Sequence, residues 1–187
     1  MIEGKPRIKP FPACTRAHKG IDAALAIRAR TAFTPEEVES IEADFQLFSL
    51  LRPEAPDEDA AGFSNPFLIS AALVYGEVGV GQITSKALAD PRVRALMGRA
   101  RHVDTVGREK VSVRLRDGRV LTQEIEKHRH LAGKEEIEAK YVAGASRVLS
   151  PTAAAELGDM IAGLERLSNL DALMSLAAGP ARSAPRL

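Results

Sequence analysis

The sequence contains little cysteine and no excess of charge of either sign. Cys14 is the only cysteine, which excludes an internal disulfide framework, and four histidines without cysteine partners exclude the usual structural zinc patterns. Lysine and arginine total 26 against 25 for aspartate and glutamate, so the net charge of +1 creates no long-range field for nucleic acid or an anionic membrane. We therefore expect a reducing compartment, no nucleic-acid partner and no metal, and any basic site must be local.

Long apolar runs are missing as well. The longest, residues 67–75, is too short to span a bilayer and contains Ser70, and the first twelve residues lack the apolar core of a signal peptide. A phosphate-binding loop is missing too, because Gly76, Gly79 and Gly81 follow a predicted helix and lack the lysine and hydroxyl of a P-loop. These absences predict a soluble, cytoplasmic protein with no membrane partner and no cofactor.

The apolar content, 45% of 187 residues, is sufficient for a real core. Residues 52–62, rich in proline and acidic residues, predict an exposed loop. Helical and alternating periodicities predict an α+β fold in which an antiparallel sheet packs with helices and a separate helical segment follows. The predicted helices cover 18–31, 65–75, 134–149, 151–167 and 170–177, and two more lie within 85–97, the second opened by Asp90 and Pro91. The predicted strands cover 40–47, 101–106, 110–115 and 120–126.

The register of the last two strands follows from the turn between them. Asp117 and Gly118 form a strong turn signal. A two-residue turn would place the apolar residues of the two strands on opposite faces, whereas a three-residue loop places them on one face. We therefore expect the three-residue loop, with one shared apolar face made of Val111, Val113, Leu115, Leu121 and Ile125.

Six segments, taken in order, resemble the C-terminal half of MmgE/PrpD proteins. They are KPFPACTRAHKGIDAA from Lys9, TPEEVESIEADF, GFSNPFLISAALVYGEV, LADPRVRALMGRARHV, VSVRLRDGRVLTQEIE and EEIEAKY. The resemblance spans roughly residues 5–176. It implies an α+β lid domain over 6–126 and final helices over 134–177, and the tail 178–187 is expected to be disordered. In that family a large helical domain, made mostly from the N-terminal half, completes the substrate pocket, and we expect that half to be missing here.

The resemblance also implies site residues. Lys9 matches a family lysine that faces substrate carboxylates, and His18 matches a family histidine at the pocket, so both are predicted as catalytic and Lys9 also as substrate-binding. Arg16 could help to neutralise an enediolate. Ser64 and Asn65 stand where a helix begins, an anion-friendly place, although capping that helix explains them equally well.

Two positions depart from the family pattern. Cys14 stands where the family's cis-aconitate decarboxylases carry a histidine, and Phe67 stands where they carry a tyrosine. Both changes remove a group that transfers protons, which argues against decarboxylation of cis-aconitate. The residues alone predict that Cys14 is a small buried residue and that Phe67 is a core residue of an apolar helix.

The resemblance implies a lyase or isomerase that abstracts a proton α to a carboxylate of a small polycarboxylate, similar to 2-methylcitrate dehydratase. The nearby carboxylates that could serve as base are Asp22 and Glu3. We expect the chain to be inactive without the helical half; the alternative is a non-catalytic interaction module. A homodimer, or pairing with a helical subunit, is expected because the helix over 151–167 carries an apolar stripe that needs a partner. The stripe consists of Ala153, Leu157, Met160, Ile161 and Leu164.

Overall fold

The computed structural model describes residues 8–44, 54–103 and 109–179. Within these ranges the chain forms eight α-helices and four strands. It divides into two compact units, which we call the sheet unit (Lys9–His130) and the helical unit (Met1–Ile8 with Leu131–Leu187). The predicted α+β class, with a mostly antiparallel sheet and helices after it, is confirmed.

The sheet has the order β2-β1-β3-β4, so β1 and β3 lie at its centre. β1 pairs antiparallel with β3, and β3 with β4, but β1 and β2 run parallel. The sequence analysis predicted an antiparallel sheet and did not anticipate this one parallel pair. The parallel pair arises because the chain between β1 and β2 crosses over through helices, whereas a hairpin would reverse its direction. The strands are β1 Val38–Asp44, β2 Ala100–His102, β3 Lys110–Leu115 and β4 Val120–Glu124.

The β3–β4 hairpin has the predicted register. The amide of Leu115 donates to the carbonyl of Arg119 at 2.9 Å, which closes a three-residue loop, and Val113 lies opposite Leu121. Gly118 has a φ of +89°, in the left-handed region that favours glycine. Leu121 and Ile125 pack against the same core as the buried face of β3. The preference for a three-residue loop over a two-residue turn is therefore confirmed.

The helices of the sheet unit are α1 His18–Arg30, α2 Glu58–Ala61, α3 Asn65–Tyr75, α4 Ser85–Ala89 and α5 Pro91–Met97. α3 is buried along most of its length, as its apolar sequence predicts, and it starts at the cap Ser64 and ends at Gly76 with a φ of +73°. α1 lies against α3 and against β3 and β4, and α5 packs against β1 and α3. This arrangement puts the start of α1 at the edge of the core.

The predicted exposed loop at 52–62 is wrong for part of its length. α2 forms there, with the carboxylate of Asp57 accepting from the amide of Ala60 at 2.7 Å, and Ala55, Ala60 and Ala61 are buried. A helix of one turn that buries two alanines leaves no periodic pattern for sequence analysis to detect. Residues 45–47 and 104–106, which were predicted to extend two strands, lie outside the described ranges.

The helical unit contains α6 Lys134–Ala145, α7 Pro151–Ala162 and α8 Asp171–Ala177, close to the predicted helices. Its small core contains Leu149, Ala154 and Leu157, and the Tyr141 hydroxyl donates to the carbonyl of Ala154 at 2.8 Å. Leu157 of the predicted apolar stripe is thus covered, whereas Ile161 and Leu164 remain half exposed. Most of the predicted tail, residues 180–187, lies outside the described part of the chain.

Candidate functional site

Lys9 and His18 meet at one backbone carbonyl. The Lys9 ammonium donates to the carbonyl oxygen of Ala13 at 3.2 Å, and Nε2 of His18 lies 3.3 Å from the same oxygen. Between Lys9 and His18, Pro10 and Pro12 fix their own φ and disfavour helix at the residues before them. One 3-10 turn, Thr15–Ala17, then leads into α1. The two residues that were predicted as catalytic are therefore neighbours, although Lys9 is exposed and His18 is fully buried.

The imidazole of His18 is uncharged at neutral pH. Burial lowers its pKa to about 4; the hydrogen bond to Ala13 opposes that shift, and the positive charges of Lys9, His128 and His130 add to it. In the neutral ring, Nε2–H donates to the Ala13 carbonyl, which leaves Nδ1 as an acceptor. Nδ1 is buried and has no hydrogen-bond partner among the described residues. His18 can therefore accept a proton at Nδ1, but it does not supply positive charge.

Asp22 lies one helical turn after His18, on the same side of α1. Its Oδ1 pairs with Nε of Arg129 at 3.3 Å, and its Oδ2 is buried without a hydrogen bond from the described residues. Burial raises the pKa of Asp22, and the Arg129 guanidinium opposes that rise. Asp22 was one of two carboxylates that the sequence offered as a base; the other, Glu3, lies outside the described ranges.

Arg129 was missed by the sequence analysis. Its guanidinium carbon lies 5.4 Å from the centre of the Phe11 ring, within the range of a cation–π contact. The Phe11 ring in turn meets the His18 ring edge-on, at 5.3 Å and 87°. The signal that could have found this residue is the basic stretch from Lys127 to Arg129, which follows the last predicted strand.

Arg16, Ser64 and Asn65 were predicted to bind substrate. Arg16 is exposed on the 3-10 turn between Ala13 and His18. The Cys14 amide donates to the carbonyl of Gly62 at 2.8 Å, so this segment adjoins the turn before α3. Ser64 and Asn65 are both buried there; Ser64 Oγ accepts from the Phe67 amide at 3.2 Å, and Asn65 Oδ1 has no partner within the ranges the structure describes. The exposed Arg16 can therefore contact a molecule in solution, whereas the capping of α3 accounts for the hydrogen bond that Ser64 accepts.

The two positions that depart from the family pattern belong to the same hydrophobic core, although the prediction that Cys14 is buried is correct only in part. Cys14 is half-buried and packs against the core, and Phe67 is fully buried in the first turn of α3. Neither residue presents a hydroxyl or imidazole to the segment that carries Lys9. The imidazole and the phenol that the resemblance leads one to expect at these positions are therefore missing, and Cys14 offers a thiol in place of the imidazole.

The larger clefts of the sheet unit suit a polyanion poorly. One of about 830 Å³ is lined by Glu54, Asp57, Glu58 and Asp59, whose charges repel carboxylates. Another of about 600 Å³ contains Arg92, but its guanidinium is already engaged by the Asp90 carboxylate at 2.7 and 3.2 Å. A third cleft of about 580 Å³ is lined by Arg28 and Arg30, whose guanidiniums donate to the backbone carbonyls of Phe33 and Thr122.

Within the described ranges, no three histidine, cysteine or acidic side chains come together in a group that could hold a metal ion. None of the helices seen there has the length and apolar character to cross a membrane.

The fold and this segment define an α+β domain whose basic, proline-rich entry segment leads into a buried imidazole. The profile of the MmgE/PrpD C-terminal domain matches residues 11–166, and the chain belongs to this family. A similar protein is the cis-aconitate decarboxylase of Mus musculus, which is 27% identical over 194 residues. The match covers 92% of this chain and 39% of the mouse protein, so the chain spans well under half the length of this relative.

Proposed function

We propose that the sheet unit forms one wall of a polycarboxylate site in an MmgE/PrpD lyase or isomerase. The observation that carries the proposal is the meeting of Lys9 and His18 at the Ala13 carbonyl, within the first of the six segments that resemble the family. An exposed ammonium can bind a substrate carboxylate, and Arg16 adds a second cation on the same segment. A neutral imidazole beside them can take up or return a proton once the site is closed.

The chemistry that fits is removal of a proton α to a carboxylate. That reaction needs a base and a positive group that stabilises the resulting enediolate. Lys9 and Arg16 supply the positive charge, and His18 Nδ1 or Asp22 could act as the base. Both candidate bases are buried within this chain. We therefore propose that the described wall binds substrate without turning it over, and that the helical half of the family architecture completes the site.

The departures at Cys14 and Phe67 bear on the choice of reaction. The mouse relative carries the name of a decarboxylase, but the two groups that this chain lacks are proton-transferring groups in the decarboxylases it resembles. We propose a dehydratase-like or epimerase-like reaction on a related acid, with 2-methylcitrate as the first substrate to test. We also propose that the reaction needs no cofactor, since the site residues supply both the base and the charge.

We expect the chain to bind 2-methylcitrate weakly, and replacement of Lys9 by glutamine to weaken that binding about tenfold, the loss of one charge-assisted contact of about 1.4 kcal/mol. Chemical-shift titration by NMR measures affinities in this weak range. Lys86→Gln is the matched control, because Lys86 is another exposed lysine of the sheet unit in a different cleft. Equal affinities of the Lys9 and Lys86 variants, or turnover by the chain alone, would contradict the proposal.

The alternative, an interaction module without chemistry, is favoured by one observation on the helical unit. Ile161 is 49% exposed and Leu164 is 50% exposed, on adjacent turns after the buried Leu157. Exposed apolar side chains that lie together are typical of a surface that associates. A module of this kind would associate but would not bind polycarboxylates, so the titration above separates the two functions.

We also propose that the chain forms a homodimer through this surface. Ile161→Glu combined with Leu164→Glu is expected to convert a dimer into a monomer, because two charges would be buried without partners in the interface. Light scattering measures the mass directly. Val120→Glu is the control, since Val120 is 48% exposed on β4 of the sheet unit. A parent chain that is monomeric at all concentrations would overturn the proposal.

A further inference from the structure

Arg129 joins three parts of the sheet unit that are distant in sequence. It belongs to the stretch after β4, its Nε pairs with Asp22 on α1, and its guanidinium covers the ring of Phe11 in the segment before α1. Phe11 is 5% exposed and meets His18 edge-on. One cation therefore contacts both the aromatic ring that packs against the buried imidazole and the carboxylate one turn further along α1.

The segment from Lys9 to Ala13 depends on such side-chain contacts. Proline occupies two of its positions, and a proline has no amide hydrogen to donate. Among the described residues, the backbone hydrogen bond to another part of the sheet unit is made by the residue after this segment, where the Cys14 amide donates to the carbonyl of Gly62. The Phe11 side chain is thus one of the two side chains of this segment that are buried in the core, with Ala13, and its ring is contacted by the Arg129 guanidinium.

We propose that Arg129 is a positioning residue, which fixes the Phe11 ring and Asp22 together and thereby holds Lys9 and His18 at the Ala13 carbonyl. This inference rests on the proposed function, because it names the residue that sets the geometry of the same site. A planar guanidinium can pair with a carboxylate through one edge and stack on a ring with its face, whereas an ammonium is a point charge that does one or the other. Arginine at this position therefore cannot be replaced by lysine without loss.

The loss of Arg129 acts on α1 as well. Asp22 Oδ2 is buried, so removal of the paired cation leaves a carboxylate that must take up a proton or turn toward water. Either change occurs one turn from His18. Lys9, His128 and His130 also act electrostatically on the imidazole, and they stay in the sequence when Arg129 is replaced.

The test measures His18 itself in the full chain. Long-range ¹H–¹⁵N NMR reports which imidazole nitrogen carries the proton and the pH at which the ring becomes charged. We expect Arg129→Met to raise the His18 titration midpoint by about one unit, because the ring becomes more open to water, and to weaken 2-methylcitrate binding about tenfold. Phe11→Leu should raise the midpoint by a similar amount, and the double variant should add little more.

The matched control is Arg119→Met, since Arg119 also pairs through Nε with a carboxylate, that of Asp117 at 2.7 Å in the hairpin turn. It should leave both readouts unchanged. Arg129→Lys should raise the His18 titration midpoint as Arg129→Met does. This variant provides the measurement if Arg129→Met fails to fold. An unchanged His18 midpoint in Arg129→Lys would overturn the inference. Failure of the parent chain to bind 2-methylcitrate would sink the proposed function, while the His18 signals would still test Arg129.

Discussion

Replacement of Phe67 by alanine is expected to lower the free energy of unfolding of the sheet unit by about 3–5 kcal/mol, the usual cost of removing a buried aromatic side chain. Phe67 has no exposed surface and lies in the first turn of α3, which packs against α1 and α5. The cavity would open beneath the helix that Ser64 caps. Chemical denaturation followed by circular dichroism measures the change.

Phe63 is the control for this prediction. It lies in the turn before the same helix and is 52% exposed, so alanine in its place should cost less than about 1 kcal/mol. The two variants remove the same atoms from neighbouring positions. A similar loss of stability in both would show that Phe67 is not packed as described, and its interpretation as a core residue would then be wrong.

Acidification is expected to weaken the sheet unit through His18. The unfolded chain takes up a proton at this residue near the ordinary pKa of 6.5, whereas burial holds the folded pKa at about 4. Between these values the unfolded state binds more protons, so stability rises with pH. The contribution is fully present above pH 6.5 and is lost as the pH falls to 4, and it amounts to about 3 kcal/mol.

The variant His18→Gln should remove this part of the pH dependence. Denaturation curves between pH 4 and pH 7 for the parent chain and the variant give the difference in slope, which is independent of the direct cost of the substitution. Asp22→Asn tests the sign, because the raised pKa of Asp22 gives it the opposite effect: its contribution falls as the pH rises above 3.8. Parallel curves for the parent chain and His18→Gln would refute the prediction.

Local patterns accounted for the helices and for the hairpin. α3 was predicted because Asn65-Pro66 starts it and Gly76 ends it, and the β3–β4 register followed from keeping the apolar residues on one face. These features depend on neighbours within a few residues. The direction of β2 depends on the crossover between β1 and β2, and strand periodicity is the same for parallel and antiparallel pairs.

The site was predicted only in part for the same reason. Lys9 and His18 were found through the family resemblance, and helical periodicity alone could have shown that His18 shares a face of α1 with the buried Ile21. Arg129 pairs with Asp22 across 107 residues of sequence, and no local pattern encodes such a partner. Its contact with Phe11 is a packing outcome of the folded sheet unit.

The separation in sequence between Asp22 and Arg129 constrains the order in which the contacts of α1 form during synthesis. On α1, Lys19 contacts Glu109 and the carbonyl of Glu126, and Asp22 pairs with Arg129. These partners are synthesised after α1, so α1 reaches its final environment only after the hairpin and the stretch that follows it have left the ribosome. Contacts this remote in the chain form slowly, because a long loop must close first. Until then the Asp22 carboxylate remains in water and His18 is open to protonation. A chain that is released before residue 129 therefore retains Lys9 but lacks the contacts that Arg129 makes with Asp22 and Phe11.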